Sequence, residues 1–501
     1  MANREMLRDI HSKHTKVVAT IGPASSDEET LRAMIRGGMD VARINFSHGD
    51  HETHGEVIAR VRKVAEEENA TIAILCDIQG PKIRIGTVSD EPLMLEEGDK
   101  ITLTLDEVPG EDYLISLPHP EFVQDIEAGT TLLLDDGNLQ FEVKQTTNRN
   151  MVCEVVIGGP LKSRKGVSAP NAKLTLSAIT EKDKKDIEFA LKQSTDYIAM
   201  SFVRTADDIR QLRWMMNFFG GDAAIIAKIE MREALENIEA IIEVVEGIMV
   251  ARGDLGVETP AERVPYEQKR IISMCNKAGK PVITATQMLE SMTRNPRPTR
   301  AEASDVYNAI IDGTDAVMLS AESASGDYPI RAVEMMSEIA RTAEAHIWDN
   351  RTAQKTFEAN ADGNEGISNV IGEATFHIAE ALKPAAIITT TISGYTARRV
   401  AKERPQAAIL CMTPNPVTAR RMALVWGVLP LLVQEFDSID EMIGVTIRAA
   451  HDAGLLHLDD IVVVIAGVPF GVQGQTNLLK VQQTRIMRGT NCHTNHLVNA
   501  I

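Results

Sequence analysis

The chain has 501 residues, 44% of them hydrophobic and only 4% aromatic, and its 52 basic and 71 acidic side chains give a net charge of -19. This length allows two or three domains with aliphatic cores and excludes disordered and fibrous classes, and the acidic field argues against nucleic-acid or membrane partners. Five cysteines without CxxC spacing, no apolar h-region in "MANREMLRDIHSKHTK" and no membrane-length apolar run together predict a cytoplasmic protein whose thiols are ordinary core or surface residues.

After an N-terminal segment (1–14), short β-branched runs alternate with stretches of helical period. The first are "KVVATI" (16–21), a helix near 27–37, "DVARIN" (40–45) and "TIAILCD" (71–77). The texture then changes over 87–175, where "LMLEEGDKITLTL", "TTLLLDDGNLQFEV" and "MVCEVVIGGPL" alternate between turns with hardly any helical period, which predicts an inserted all-β domain able to act as a lid. Strands resume at 196–201, 223–229, 247–251, 281–286 and 315–320, each followed by a helical pattern such as "MREALENIEAIIEVV". Eight strand–helix units are the signature of a (β/α)8 TIM barrel, here spanning 15–86 and 176–350; an open doubly wound sheet is the alternative. The polar stretch "RTAQKTFEANADGNEG" reads as a linker, and strands near 385–391, 407–413, 427–433 and 460–467 predict a C-terminal α/β open parallel sheet over 365–482, followed by a tail (483–501).

Barrel geometry brings the C-terminal strand ends to one rim. There lie Arg43, Asn45 and Ser47; Asp77, Lys82 and Arg84; Lys228 and Glu230; Arg252 and Asp254; Thr286 and Gln287; Ser320 and Glu322. Two carboxylates, Glu230 and Asp254, on neighbouring strands with cations nearby suit a hard divalent ion bridged to a phosphorylated or carboxylated ligand. For any one pair a surface salt bridge is the plainer explanation, but six strand ends agree. Phosphoryl transfer needs positioning and charge neutralisation, and this set supplies both. No P-loop and no GxGxxG fingerprint occurs. His48, His51 and His54 lack the partners of a closed zinc site and read as solvated or capping residues. "TTTISGYTARRV" puts Thr391, Ser393, Gly394 and Thr396 between a strand and a helix, a pattern that suits a phosphate or plain helix capping.

The segments "TKVVATIGPAS", "ARINFSHG", "DIQGPKIR", "AKIE", "MVARGDLGVE", "TATQMLESM" and "NPRPTRAEASDVYNAIIDGTDAVMLSAESA" resemble, in order, those of the pyruvate kinase family. The resemblance implies a TIM barrel, an inserted β-barrel lid domain, a C-terminal regulatory domain and a homotetramer. It also implies transfer of the phosphoryl group of phosphoenolpyruvate to ADP, giving pyruvate and ATP. It further implies Glu230 and Asp254 as ligands of Mg2+ or Mn2+, Lys228 as the lysine at the transferring phosphoryl and Arg43 as a phosphate grip. Gly253 with Asp254 would meet the substrate carboxylate, and Thr286 would stand beside the carbon that is protonated. For the nucleotide it implies Asn45, Phe46, Ser47, His48, Arg84 and Lys165. One residue departs from the pattern: Lys82 stands where potassium-requiring members have glutamate, while the other ligands of that monovalent cation site, Asn45, Ser47, Asp77 and the Ile78 carbonyl, are kept. A lysine ammonium can replace K+, so activity without added potassium is expected. The loop at Thr391–Thr396 would hold a sugar-phosphate effector, and the absence of arginine from "GVPFGVQGQTN" favours a monophosphate over a bisphosphate.

Overall fold

The computed structural model describes residues 13–89, 92–170, 172–349, 363–470 and 474–484. Most of the N-terminal segment and of the tail, the linker over 350–362 and Cys492 lie outside the described residues. By internal contacts the described chain forms two compact units, 13–349 with Ala423–Trp426, and 363–422 with 427–484.

In the first unit eight parallel strands close a barrel. In order around it they are Lys16–Thr20, Val41–Asn45, Ala73–Ile78, Tyr197–Met200, Ala224–Ile229, Gly247–Ala251, Val282–Ala285 and Ala316–Leu319, and the last pairs back onto the first with Lys16 opposite Ala316. These strands are buried on both faces, which is why they read as continuous aliphatic runs instead of alternating ones. Val18, Leu75, Tyr197, Ile226 and Met249 belong to a core cluster distinct from the larger one that includes Val17, Ile74 and Ile225 together with residues of the surrounding helices. The expected single helix over "MREALENIEAIIEVV" is two, Arg232–Glu236 and Ile238–Val244. Asn237 breaks it, its Nδ2 donating at 3.1 Å each to the Glu233 carbonyl of the first helix and to the Arg204 carbonyl of the loop after the fourth strand.

The insert has its own core, with Phe122, Phe141, Ile101 and Leu103 fully buried. Its strands alternate: Asn150–Ile157 buries Met151, Cys153 and Val155 and turns the intervening side chains outward. By hydrogen-bonded pairing they form a six-stranded sheet and a separate two-stranded ladder, Leu93–Leu95 with Gly159–Leu161, in place of the expected closed β-barrel. The segment is not wholly β either. Pro120–Asp125 is a helix that the short sequence "PEFVQD", with Pro at its first turn, signals only by its start.

The second unit holds a five-stranded sheet in the order Val428–Leu432, Ile409–Thr413, Ala386–Thr390, Ile461–Ala466, Leu478–Gln483. Four strands are parallel, as expected. The fifth, Leu478–Gln483, runs antiparallel at the edge and was missed because it is solvent-facing and has no buried run to announce it. Among the described residues no helix is long and apolar enough to cross a membrane.

Candidate active site

Four charged side chains meet where barrel strands two, three and five end. Arg43 donates Nε to Asp77 Oδ2 at 2.8 Å and Nη1 to Thr20 Oγ1 at 2.9 Å, while its Nη2 lies 2.7 Å from the same carboxylate oxygen. The Lys228 ammonium reaches Glu230 at 2.8 Å, Asp77 at 3.3 Å and the Ser201 hydroxyl at 2.8 Å. Asp77 is 2% exposed and Glu230 1%, so these charges persist only because they are paired. Burial pulls the Lys228 amine down, but Asp77 and Glu230 more than reverse this and it stays protonated. Burial works against the Asp77 carboxylate too, and Lys228 and Arg43 outweigh it and hold the group below its ordinary value. Glu230 is pushed up, first by burial and also by Asp254, with Lys228 opposing and the Phe202 N–H donating at 2.9 Å.

A cleft continues this cluster outward. Glu230, Asp254 and Glu258 line one side, with Lys82, and Phe122, Asp136 and Gly166–Ala169 of the insert line another. Glu258, on the helix Arg252–Glu258, is buried, which pushes its carboxyl up to about 7, with a hydrogen bond to Ser168 of the insert opposing and Asp254 adding. Glu258 lies four residues after Asp254, hence on the same helix face, and that spacing is its signal in the sequence.

The sixth strand runs straight into that helix, and Gly253 N–H donates to Thr286 Oγ1 at 2.7 Å. Thr286 and Gln287 have φ of 67° and 54°, a left-handed conformation that costs a β-branched residue about 1–3 kcal/mol. Arg252 explains how it is held. Its Nη2 donates to the Thr286 carbonyl at 2.8 Å, its Nε to the Ala285 carbonyl at 3.2 Å, and its Nη1 pairs with Asp305 at 2.7 Å. The charged triplet after the sixth strand therefore divides its labour: Arg252 fixes the neighbouring loop, Gly253 docks on it, and Asp254 faces the cleft. Glu322, read as a rim acid, spends its oxygens on the Ser320 and Leu289 N–H groups at 2.7 and 3.1 Å, joining the loops after strands seven and eight.

Other sequence-predicted residues are more dispersed. Asn45 Oδ1 accepts from Ser47 N–H at 3.2 Å, and the Ile78 carbonyl accepts from Ser201 at 2.7 Å. Phe46 is 1% exposed, its ring against His54, so only its backbone is free of the core, and its carbonyl takes the Lys182 ammonium at 2.6 Å. His48 is exposed, and its carbonyl bonds His54 Nε2 at 2.8 Å; His51 stacks on Phe189 and pairs with Asp186 at 2.7 Å. Arg84 donates to the Arg164 carbonyl at 3.0 Å and Lys165 pairs with Asp135 at 2.5 Å. Ser201 and Arg204 were not singled out from sequence. Arg204 donates to the carbonyls of Leu174 and Leu176 at 2.7 and 2.6 Å, anchoring the segment by which the chain leaves the insert.

Among the described residues no group of three His, Cys, Asp or Glu side chains could by itself hold a metal. The pair Glu230 and Asp254 nevertheless suits a hard divalent ion: both offer carboxylate oxygens to one cleft, and Asp254 pushes the Glu230 carboxyl up, a repulsion that a cation relieves.

In the second unit, Thr391, Ser393 and Thr396 line a cavity of about 300 Å³. Thr391 Oγ1 accepts from Gly394 N–H at 2.9 Å, Thr396 Oγ1 pairs with Thr476 Oγ1 at 3.1 Å, and the Ser393 carbonyl accepts from Arg398 at 3.2 Å.

A closed eight-stranded barrel with a charged rim, an inserted β domain above a carboxylate-lined cleft and a separate α/β unit define an enzyme of the phosphotransferase class. Residues 12–333 match the family described as "Pyruvate kinase, barrel domain" and residues 369–482 the one described as "Pyruvate kinase, alpha/beta domain". The chain is 48% identical over 473 residues to a pyruvate kinase of Geobacillus stearothermophilus, covering 94% of this chain and 80% of that one. It is 48% identical over 472 residues to the pyruvate kinase of Clostridium acetobutylicum (93% and 99%), and 44% identical over 472 residues to that of Sporosarcina psychrophila (94% and 80%). The chain belongs to the pyruvate kinase family.

Proposed function

We propose that this enzyme transfers the phosphoryl group of phosphoenolpyruvate to ADP, giving pyruvate and ATP, with Mg2+ or Mn2+ held by Glu230 and Asp254. The observation that carries the reading is the single buried network in which Lys228 joins Asp77, Glu230 and Ser201. Lys228 spends all three of its N–H groups there, so a donor for the phosphoryl becomes available when Glu230 turns toward the cation. Arg43 spends three of five N–H groups on Asp77 and Thr20, leaving two to grip phosphoryl oxygens. Charge spread over those oxygens is thereby met by fixed donors in a buried site, which is where such donors act most strongly. The divalent ion would supply further neutralisation of the phosphoryl and hold the enolate oxygen. Thr286 Oγ1 donates to the Ala285 carbonyl at 2.7 Å and accepts from Gly253, so its part is to position the segment beside the carbon that is protonated, the proton arriving through water.

The roles at matching positions follow the family pattern. Gly253 and Asp254 take the substrate carboxylate, and Asn45, the backbone of Phe46, Ser47, His48, Arg84 and Lys165 take the nucleotide. Lys82 faces the cleft and makes no ion pair among the described residues, which supports its ammonium standing in for K+ beside Asn45, Ser47, Asp77 and Ile78. The C-terminal cavity at Thr391–Thr396 takes a sugar monophosphate activator, and the chains assemble as tetramers. Pyruvate release from phosphoenolpyruvate and ADP, measured with and without Mg2+ in a tetraalkylammonium buffer, tests the core of this. Metal-dependent turnover that K+ barely raises is expected; no pyruvate in the presence of Mg2+ would overturn the reaction, and strong activation by K+ would overturn the role of Lys82.

A further inference from the structure

Strained backbone recurs on the barrel rim. Thr286 and Gln287, after the seventh strand, are held by Arg252; Phe202, after the fourth strand, is likewise left-handed, with φ of 54°. Such a backbone at a residue with a Cβ persists only where its surroundings over-determine it, and positions of this kind gather at functional sites. What this turn presents is a donor. The Phe202 N–H donates to Glu230 Oε2 at 2.9 Å while Lys228 holds Oε1 at 2.8 Å, so the two oxygens of one metal-suited carboxylate have separate partners.

Both flanks of the turn are pinned. On one side the Ser201 hydroxyl donates to the Ile78 carbonyl at 2.7 Å, and Gly80 packs flat against the turn, itself fixed by its N–H on the buried Asp183 at 3.0 Å. Gly80 has φ of 68°, and a Cβ there would lie 2.8 Å from Phe202 Cδ2 and 3.2 Å from Ser201 Cβ, so only glycine allows this approach. On the other side stands Arg204. Its N–H donates to Asp208 at 2.9 Å, its carbonyl accepts from Asn237 at 3.1 Å, and its guanidinium bridges the carbonyls of Leu174 and Leu176 at 2.7 and 2.6 Å. Val203, between them, is fully buried. The turn therefore has little room to relax, and its N–H stays aimed at Glu230.

We propose that Arg204 and Gly80 are positioning residues of the divalent-metal site, acting through the Phe202 N–H on the Glu230 carboxylate. This rests on the reading of Glu230 and Asp254 as metal ligands and goes beyond it by naming the residues that aim one of them. Groups that orient a ligand from behind carry about 10–100-fold in metal affinity, and residues one step further back belong at the low end of that range. The sign of the effect separates position from charge. Arg204 lines the same cleft as Glu230 and Asp254, so losing its positive charge alone would tighten the binding of a cation, whereas losing its hold on the turn weakens it.

The test is calorimetric titration of Mn2+ alone into the full-length enzyme as wild type, Arg204→Gln and Gly80→Ala, with near-ultraviolet circular dichroism to confirm that each variant is folded. The expected result is a dissociation constant about 10-fold higher in either variant, together with turnover that falls at limiting Mg2+ and is largely restored by excess Mg2+. A variant that is merely less well packed would not be rescued by metal. In the wild type, which needs no substitution, Mg2+ should slow amide hydrogen exchange in residues 201–204. Wild-type or tighter Mn2+ binding by the folded variants, lost turnover that excess Mg2+ leaves unrestored, or exchange in the wild type that Mg2+ leaves unchanged each overturns the positioning role and leaves the metal ligands standing. No Mn2+ binding by the wild-type enzyme overturns the metal reading itself.

Discussion

The barrel rim and the C-terminal cavity are both built at the carboxyl ends of parallel strands, yet they handle charge in opposite ways. At the rim, Arg43, Asp77 and Glu230 are buried, Lys228 is partly so, and the four are mutually paired, so each group is held before any ligand arrives. In the cavity the carboxylates of Glu435 and Asp437 are exposed, and the opposite loop offers hydroxyls. A site that must stabilise transient charge benefits from preorganised ions in a dry setting, whereas a site that only senses a ligand can use weaker, screened contacts. Removing a rim residue should therefore cost orders of magnitude in turnover, and removing a cavity residue should change only the response to effector.

The largest effect short of losing Lys228 is expected from Glu230→Gln. Turnover should fall about 10²–10³-fold, and the Mg2+ concentration for half activity should rise. A variant with normal metal dependence would break the assignment of Glu230. Next comes Arg252→Ala, which leaves Asp305 unpaired and the Thr286 carbonyl without its donor; kcat is expected to drop roughly 10²-fold. Arg252→Lys should recover little of this, because an ammonium lacks the planar fork that reaches two carbonyls and a carboxylate. A full recovery by lysine in steady-state kinetics would mean that charge alone matters there.

Glu258 sharpens the contrast through stability. Its carboxyl is raised to about 7 in the folded enzyme from an ordinary 4.5, so the folded state holds that proton more tightly than the unfolded chain does. The associated stabilisation is complete below pH ~4.5 and is lost as pH rises toward 7, an effect on the order of 3 kcal/mol. Thermal melts in chelator-containing buffer should show Glu258→Gln melting higher relative to wild type at pH 8 than at pH 5. Equal differences at both values would rule out a titrating carboxyl at the seam with Ser168. The smallest effect is expected from Thr391→Val, which should leave basal turnover unchanged and weaken sugar-phosphate activation about 5–10-fold. A loss of basal rate in assays without effector would mean that the cavity and the barrel rim do not act separately.

Much of this was legible in the sequence because burial and chemistry change abruptly at strand ends. "AAIIAKIE" and "GIMVARGDLGVE" each pass from full burial to charge within two residues, and the barrel brings both to the same rim. What was not legible depended on partners far apart in the chain. Arg252 finds Asp305 and the Thr286 carbonyl more than thirty residues away, and Ser201 is marked only by its reach to Lys228 and Ile78. Asn237 hides a helix break inside an unbroken helical period, since its side-chain amide donates to backbone carbonyls at the break. The edge strand Leu478–Gln483 has no buried run, and Phe46, placed by family pattern at the nucleotide, turns its ring into the core.

The central claim is that Lys228 stabilises the phosphoryl group in flight and does not merely hold the rim together. The direct test is Lys228→Met, with pyruvate release from phosphoenolpyruvate and ADP measured alongside Mg2+ and phosphoenolpyruvate binding by calorimetry. The account predicts turnover down by at least about 10³-fold with both ligands still bound. Near-normal turnover in that variant would contradict it.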